Sequence, residues 1–113
     1  MRLRTDFWVA ALLRRVEAAG AYVSVARRGA TEAGAVFVTV DGKDGRFDLY
    51  GPAPQTAFDE DSSGDRLFSA MMLGGTAEDL ARRIDAELRF DPDLWLIDIE
   101  DRKHRAFVDL ARE

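Results

Sequence analysis

Residues 36–50 read VFVTVDGKDGRFDLY, in which two segments with valines or other apolar residues at every second position flank a glycine-rich turn. This alternation is typical of strands with one face in a core, because successive side chains point to opposite faces of a sheet. The Asp41-Gly42 and Asp44-Gly45 pairs accept the positive φ that tight turns require. The stretch therefore predicts an antiparallel β-hairpin.

The residues before the hairpin predict a helix and one more strand. Apolar residues recur at intervals of three and four over about residues 6–19, which indicates an amphipathic helix, and Thr5 or Asp6 can cap it. Val23 and Val25 then alternate with polar or small residues, which favours a strand. Together with the hairpin, this strand is expected to form a three-stranded antiparallel meander.

The residues after the hairpin predict a strand, a helix and a last strand. Residues 66–73 fit either a helix or a strand, and their position before two glycines favours a strand. Thr76 and Asp79 form a short analogue of a capping box, which begins a second helix. Asp91-Pro92 ends this helix, because the residue before proline resists the helical conformation. Residues 94–100 are apolar on both faces at first, which indicates a strand inside the sheet.

The order α-β-β-β-β-α-β predicts an α+β protein of one domain over residues 1–113. We expect a two-layer sandwich, in which a mainly antiparallel sheet of about five strands carries two helices on one face and leaves its other face partly open. Residues 101–113 are expected to form a polar C-terminal tail with one or two helical turns around Phe107 and Leu110.

The composition excludes several classes of site. The chain has no cysteine, which rules out disulfides, thiolate metal sites and cysteine nucleophiles, and its one histidine, His104, is interpreted as solvent-facing in the polar tail. The net charge of −5 disfavours nucleic acid as a partner. The apolar run over residues 9–13 is too short for a signal core or a membrane span. We therefore expect a cytoplasmic protein without a nucleic-acid or membrane partner.

The acidic segment 59–65, DEDSSGD, copies the first half of a calcium-binding loop, with oxygen ligands at alternate positions followed by glycine. Its second half does not fit, because Ala70 stands where a bidentate glutamate should close the shell. A solvated acidic loop is the favoured interpretation, and Asp59 and Asp61 are weak candidates for a cation site. No cofactor is expected.

Four residues are the candidates for contacts with a ligand or a partner. Arg27 and Arg28 close the first predicted strand and could bind a carboxylate, a phosphate or an acidic segment through forked hydrogen bonds. Tyr50 and Gln55 flank Gly51-Pro52-Ala53-Pro54, a loop that two prolines stiffen, and a rigid loop loses little entropy on binding.

Four strings of the sequence resemble domain-of-unknown-function family 1491, a set of small alphaproteobacterial proteins. They are MRLRTDFWV at 1–9, RRGA at 27–30, LYGPAPQ at 49–55 and RFDPDLW at 89–95. The resemblance extends to about Glu100. It implies a single-domain bacterial protein of a family with no established activity, and it carries over no catalytic residue.

The leading hypothesis is a non-enzymatic module that binds a protein partner or a small anionic ligand, because every catalytic template lacks a part in this sequence. The alternative is a small metal-assisted hydrolase with a carboxylate site among Asp59, Asp61, Asp91 and Asp93. A homodimer in which paired sheets cover the exposed face is compatible with either.

Overall fold

A computed structural model of the protein describes residues 3–54 and 66–111. It contains two helices and six strands over these residues. The helices are α1 (Thr5–Ala18) and α2 (Ala77–Phe90). The strands are β1 (Tyr22–Arg27), β2 (Val36–Asp41), β3 (Phe47–Pro52), β4 (Leu67–Gly75), β5 (Trp95–Glu100) and β6 (Asp109–Leu110).

The strands form one mixed sheet in the order β1-β5-β2-β3-β4-β6. The predicted α+β class is confirmed, and so is the hairpin, in which β2 pairs antiparallel with β3 and Val38 lies opposite Tyr50. The ambiguous segment 66–73 belongs to a strand, as predicted: it lies mostly in β4, which pairs antiparallel with β3. The sheet is mixed because β2 and β5 are parallel, as are β4 and β6.

Strand β5 lies between β1 and β2, so the predicted meander of three consecutive strands is wrong. The interior position of β5 is confirmed, and the burial of alternate residues explains it: Trp95, Ile97 and Ile99 are all at most 1% exposed. Strand β1 is exposed at nearly every residue and takes the edge. The burial of apolar side chains therefore places β5 inside the sheet, although β1 and β2 are the strands that are consecutive in the chain.

The helices lie on opposite faces of the sheet, so the prediction of two layers with both helices on one face is wrong. Leu12 of α1 packs in a cluster with Val38, whereas Leu88 of α2 packs in a second cluster with Phe37. Because Phe37 and Val38 are neighbours in β2, their side chains point to opposite faces. The apolar residues at successive positions of β2 thus require a cover on both sides.

Helix α2 is the more loosely packed of the two. It contacts β3 and β4, none of its residues is fully buried, and Phe90 at its end is 89% exposed. Its predicted start is confirmed, since the Thr76 hydroxyl accepts from the backbone N–H of Asp79 at 3.1 Å and a capping box forms. It ends at Phe90, directly before Asp91-Pro92, as predicted.

The two ends of the described chain differ from the prediction. Helix α1 begins at Thr5, and Arg4 in the capping position makes no side-chain cap. The Thr5 hydroxyl instead donates to the carbonyl of Gly34 at 3.0 Å inside the core. The segment after β5 forms a turn and the short strand β6 in place of helical turns, because Phe107 takes a left-handed backbone conformation (φ +62°) that interrupts a right-handed helix.

The different packing of the helices predicts different responses to truncation. Leu12→Ala should lower the free energy of unfolding by about 2–5 kcal/mol, because the side chain is fully buried and leaves a cavity. Ile84→Ala on the half-buried face of α2 should cost only about 1 kcal/mol. Urea denaturation of both variants measures the difference, and equal losses would contradict the assignment of the main core to the α1 face.

Candidate functional site

A tight turn follows β5 and carries two exposed basic side chains. The backbone N–H of His104 donates to the carbonyl of Asp101 at 2.9 Å, which closes the turn. Arg102 and Lys103 lie at its tip and are exposed. We call residues 101–105 the basic turn. One clamp holds this turn closed, and a second holds it against the rest of the sheet.

The first clamp is the buried carboxylate of Asp101, which is 7% exposed. It accepts the backbone N–H of Arg105 at 2.8 Å and the Arg105 guanidinium through Nε at 2.9 Å and Nη2 at 3.1 Å. The hydrogen bonds from the Arg105 side chain lower the pKa of Asp101 to about 2. The carboxylate therefore stays ionised at neutral pH, and it holds the turn closed.

The second clamp is the imidazole of His104, which lies between two carboxylates. Its Nε2 is 3.0 Å from Asp44 Oδ2 and its Nδ1 is 3.1 Å from Asp48 Oδ2. Hydrogen bonds to Asp44 and then Asp48 raise the pKa of His104, and the same contact with His104 lowers the pKa of Asp44. The second oxygen of the buried Asp48 accepts the backbone N–H of Gly74 at 2.8 Å, so this clamp joins the basic turn to β3 and β4.

The hairpin turn between β2 and β3 provides the space for the imidazole. A Cβ atom at Gly42 would collide with the His104 ring, so glycine leaves the space that the ring occupies between the two carboxylates. The backbone of His104 is left-handed, with φ of +55°, which costs a non-glycine residue roughly 1–2 kcal/mol. The hydrogen bonds to the two carboxylates offset this strain. The interpretation of His104 as a solvent-facing residue in a tail is therefore wrong.

A cleft of about 510 Å³ lies beside the basic turn. Its walls come from the connection between α1 and β1, from the hairpin turn and from the basic turn; the charged and aromatic lining residues are Tyr22, Lys43, Glu100, Asp101, Arg102, Lys103 and Arg105. Lys43 pairs with Glu100 at 3.2 Å and Arg105 pairs with Asp101 at 2.9 Å. Arg102 and Lys103 form no ion pair with any residue that the structure describes, so the cleft has an excess of positive charge.

The structure places the predicted contact residues away from this cleft. Arg27 donates from its guanidinium to the carbonyl of Pro92 at 2.7 Å, and Arg28 stacks over the Trp95 ring at 5.0 Å, both at the opposite end of β1. Tyr50 is 6% exposed in the α1-side core, where burial raises its pKa, so its ring is covered and not exposed to a ligand. Gln55 lies outside the described residues.

The predicted carboxylate site is not assembled by the residues that the structure describes. Asp59 and Asp61 lie outside them. Asp91 and Asp93 lie in the connection between α2 and β5, where the Asp91 carboxylate accepts the backbone N–H of Asp93 at 3.0 Å. Over residues 3–54 and 66–111, no group of three histidine, aspartate or glutamate side chains is arranged to hold a metal ion.

The mixed sheet between two helices defines a small α+β protein with a basic turn at the end of a central strand. Neither described helix is long and apolar enough to cross a membrane. The chain belongs to the DUF1491 family: the family model, described as a protein of unknown function, matches residues 3–109.

Solved structures of bacterial proteins share the fold along the whole chain. A solution structure from Agrobacterium tumefaciens is 40% identical with a TM-score of 0.85, and the match covers 100% of this chain and 98% of that one. A crystal structure of a DUF1491 family protein from Caulobacter crescentus is 38% identical with a TM-score of 0.80, and the match covers 100% and 99% of the two chains. No curated protein matches the chain.

The His104 clamp predicts a pH-dependent stability. Because the folded-state pKa of His104 is raised above 6.5, its contribution is fully present below pH 6.5 and is lost as the pH rises through the folded-state pKa. We expect His104→Asn, which tolerates the left-handed backbone, to be less stable than the native protein at about pH 6, with a smaller difference at about pH 9. Urea denaturation at both pH values measures this, and a difference that grows with pH would contradict the clamp.

Gly42→Ala tests the same contact without removing the titrating group. The added methyl group displaces the imidazole from the two carboxylates, so the pKa of His104 should fall back towards 6.5. NMR titration of the imidazole protons gives this pKa. Gly45→Ala in the same turn is the control, because a Cβ at Gly45 meets no neighbouring atom, although its positive φ makes the variant somewhat less stable.

Proposed function

We propose that this protein is a non-enzymatic cytoplasmic binding module, and that the cleft beside the basic turn takes an anionic group of a small ligand or a partner. The observation that supports this most is the pair Arg102 and Lys103, which two clamps position at the tip of the turn while every other cation of the cleft is paired with an acid of the protein. Cations on a held turn that pair with no acid of residues 3–54 and 66–111 are suited to an anionic ligand.

The rigidity of the turn favours binding in energetic terms. A flexible loop loses conformational entropy when a ligand orders it, and this loss weakens the affinity. The basic turn is already ordered by Asp101 on one side and by Asp44, His104 and Asp48 on the other. Arg102 adds a planar guanidinium that can donate two hydrogen bonds to one carboxylate or phosphate, and Lys103 adds a point charge. The cleft volume is within the range of small-molecule sites.

The state of His104 favours binding over acid–base catalysis. A catalytic imidazole has to reach a proton of the substrate with one ring nitrogen. In this protein both ring nitrogens face carboxylates of the protein at 3.0 and 3.1 Å. The imidazole therefore acts as a bridge within the fold, and the contacts with Asp44 and Asp48 raise its pKa.

Titration with citrate and with inorganic phosphate, followed by backbone amide NMR, tests the proposed function. We expect shifts confined to residues around the cleft, and we expect Arg102→Ala/Lys103→Ala to weaken the binding about tenfold, because it removes both unpaired charges. Arg82→Ala/Arg89→Ala removes two positive charges from α2 and is the matched control. Shifts spread over the whole surface, or an equal loss in the two double variants, would show nonspecific screening and contradict the proposal.

A further inference from the structure

Strand β1 is an edge strand with an open side. It pairs with β5 through residues 22–27 and has no second strand partner among residues 3–54 and 66–111. An edge strand of this kind offers a row of backbone N–H and C=O groups to an added strand. The side chains along β1 are exposed at every position except Val23, which is half-buried. Tyr22 and Val25 are 63% and 38% exposed.

The two edges of the sheet differ in how they are protected. At the other edge, β6 is only two residues long and includes Asp109, which prevents extended pairing with another chain. Strand β1 is six residues long and carries neither charge nor proline from Tyr22 to Ala26. A register shift between Val25 and Arg27 limits regular pairing with β5 to residues 22–25. The open and uncharged part of β1 is therefore the part next to the cleft.

The charges at this end of β1 indicate the kind of partner. Tyr22 lies opposite Glu100 in the sheet and lines the cleft, so a strand added to β1 runs directly towards Arg102 and Lys103. In an antiparallel arrangement, which is the more stable one per residue, the C-terminal end of the added strand reaches the cleft. At the far end of β1, Arg27 donates to the carbonyl of Pro92, which stands between Asp91 and Asp93, so this end has two acids as well as the two arginines Arg27 and Arg28. The positive excess is thus at the cleft end.

We propose that β1 accepts an extended segment of a partner protein as an additional antiparallel strand, with an acidic C-terminal end in the cleft. This inference rests on the proposed function, because the cleft has to bind the anionic end. Main-chain hydrogen bonds along β1 supply sequence-independent affinity, and the two unpaired cations select for acidic residues or a terminal carboxylate.

A second copy of the chain fits this edge less well. A two-fold antiparallel pairing of β1 with itself brings the Arg27 end of each copy, where Asp91 and Asp93 match Arg27 and Arg28 in number, against the basic cleft end of the other. That end has no excess of negative charge to offer Arg102 and Lys103. An acidic segment places opposite charges at the same positions, so charge complementarity favours it over a homodimer through β1.

A pair of synthetic peptides tests the inference. The acidic peptide is fluorescein-Thr-Val-Thr-Val-Thr-Asp-Glu with a free carboxylate, and its matched control replaces the last two residues by Asn-Gln and amidates the end. By fluorescence anisotropy, we expect the acidic peptide to bind about tenfold more tightly. Arg102→Ala/Lys103→Ala should remove most of this difference, whereas Arg82→Ala/Arg89→Ala should preserve it.

Backbone N-methylation of the peptide tests strand addition without any change in the protein. In an antiparallel ladder, alternate residues of the added strand direct their N–H groups towards β1. One of two isomers, methylated at alternate positions, should therefore lose its binding about tenfold or more while the other binds as before. Slower amide hydrogen exchange in β1 on peptide addition is the second expected result.

The outcomes separate this inference from the proposed function. If citrate binds at the cleft but both methylated isomers bind alike and exchange in β1 is unchanged, strand addition is wrong and the anion site stands. If neither citrate nor the acidic peptide binds, both proposals fail. A dimer in sedimentation equilibrium, together with slow amide exchange of β1 in the absence of peptide and no peptide binding, would assign the β1 edge to a second copy and overturn the inference.

Discussion

The parallel pairing of β5 with β2 is the constraint on which the rest of the structure depends. It places Val36 beside Trp95 and Asp41 beside Glu100, so the C-terminal ends of the two strands lie side by side. Strands connected in parallel require a crossover, and here β3, β4 and α2 provide it. The crossover leaves α2 on the face opposite α1, where Phe37 and Leu49 form a separate core cluster.

The same constraint creates the candidate site. Because β2 and β5 end together, the hairpin turn after Asp41 and the basic turn after Glu100 are neighbours, and the Asp101 N–H donates to the Asp41 carbonyl at 3.0 Å. His104 then reaches Asp44 in the hairpin turn and Asp48 on β3, which are 60 and 56 residues away along the chain. The end of β4 lies at the same place, since the Gly74 N–H donates to Asp48. One topological feature thus assembles a turn, two clamps and a cleft from four separate segments.

Local patterns in the sequence predict most of the secondary structure, but they do not predict the pairing of β5 with β1 and β2. The hairpin at 36–50 and the capping box at Thr76 depend on residues close in the chain, so their chemistry is visible in the sequence. The register of β5 depends on burial summed over strands distant in sequence. One signal was available: Val36 and Phe37 make both faces of β2 apolar, which favours a helix on each face. The clamps offered no such signal, because aspartates at 44, 48 and 101 resemble the many surface acids of this chain.

The distribution of charge connects the clamps with the open edge of the sheet. The chain carries a net charge of −5, yet the acids near the cleft are engaged by its own residues: Asp101 by Arg105, Glu100 by Lys43, and Asp44 and Asp48 by His104. His104 balances only one of the two charges of Asp44 and Asp48, but these ion pairs weaken the repulsion of an incoming anion, and they hold in place the turn that presents Arg102 and Lys103. The uncharged part of β1, residues 22–26, begins beside the cleft, so the open strand edge and the positive charge meet at Tyr22. Because an acidic surface elsewhere repels other acidic segments, an extended anionic segment is directed to this edge over the rest of the molecule.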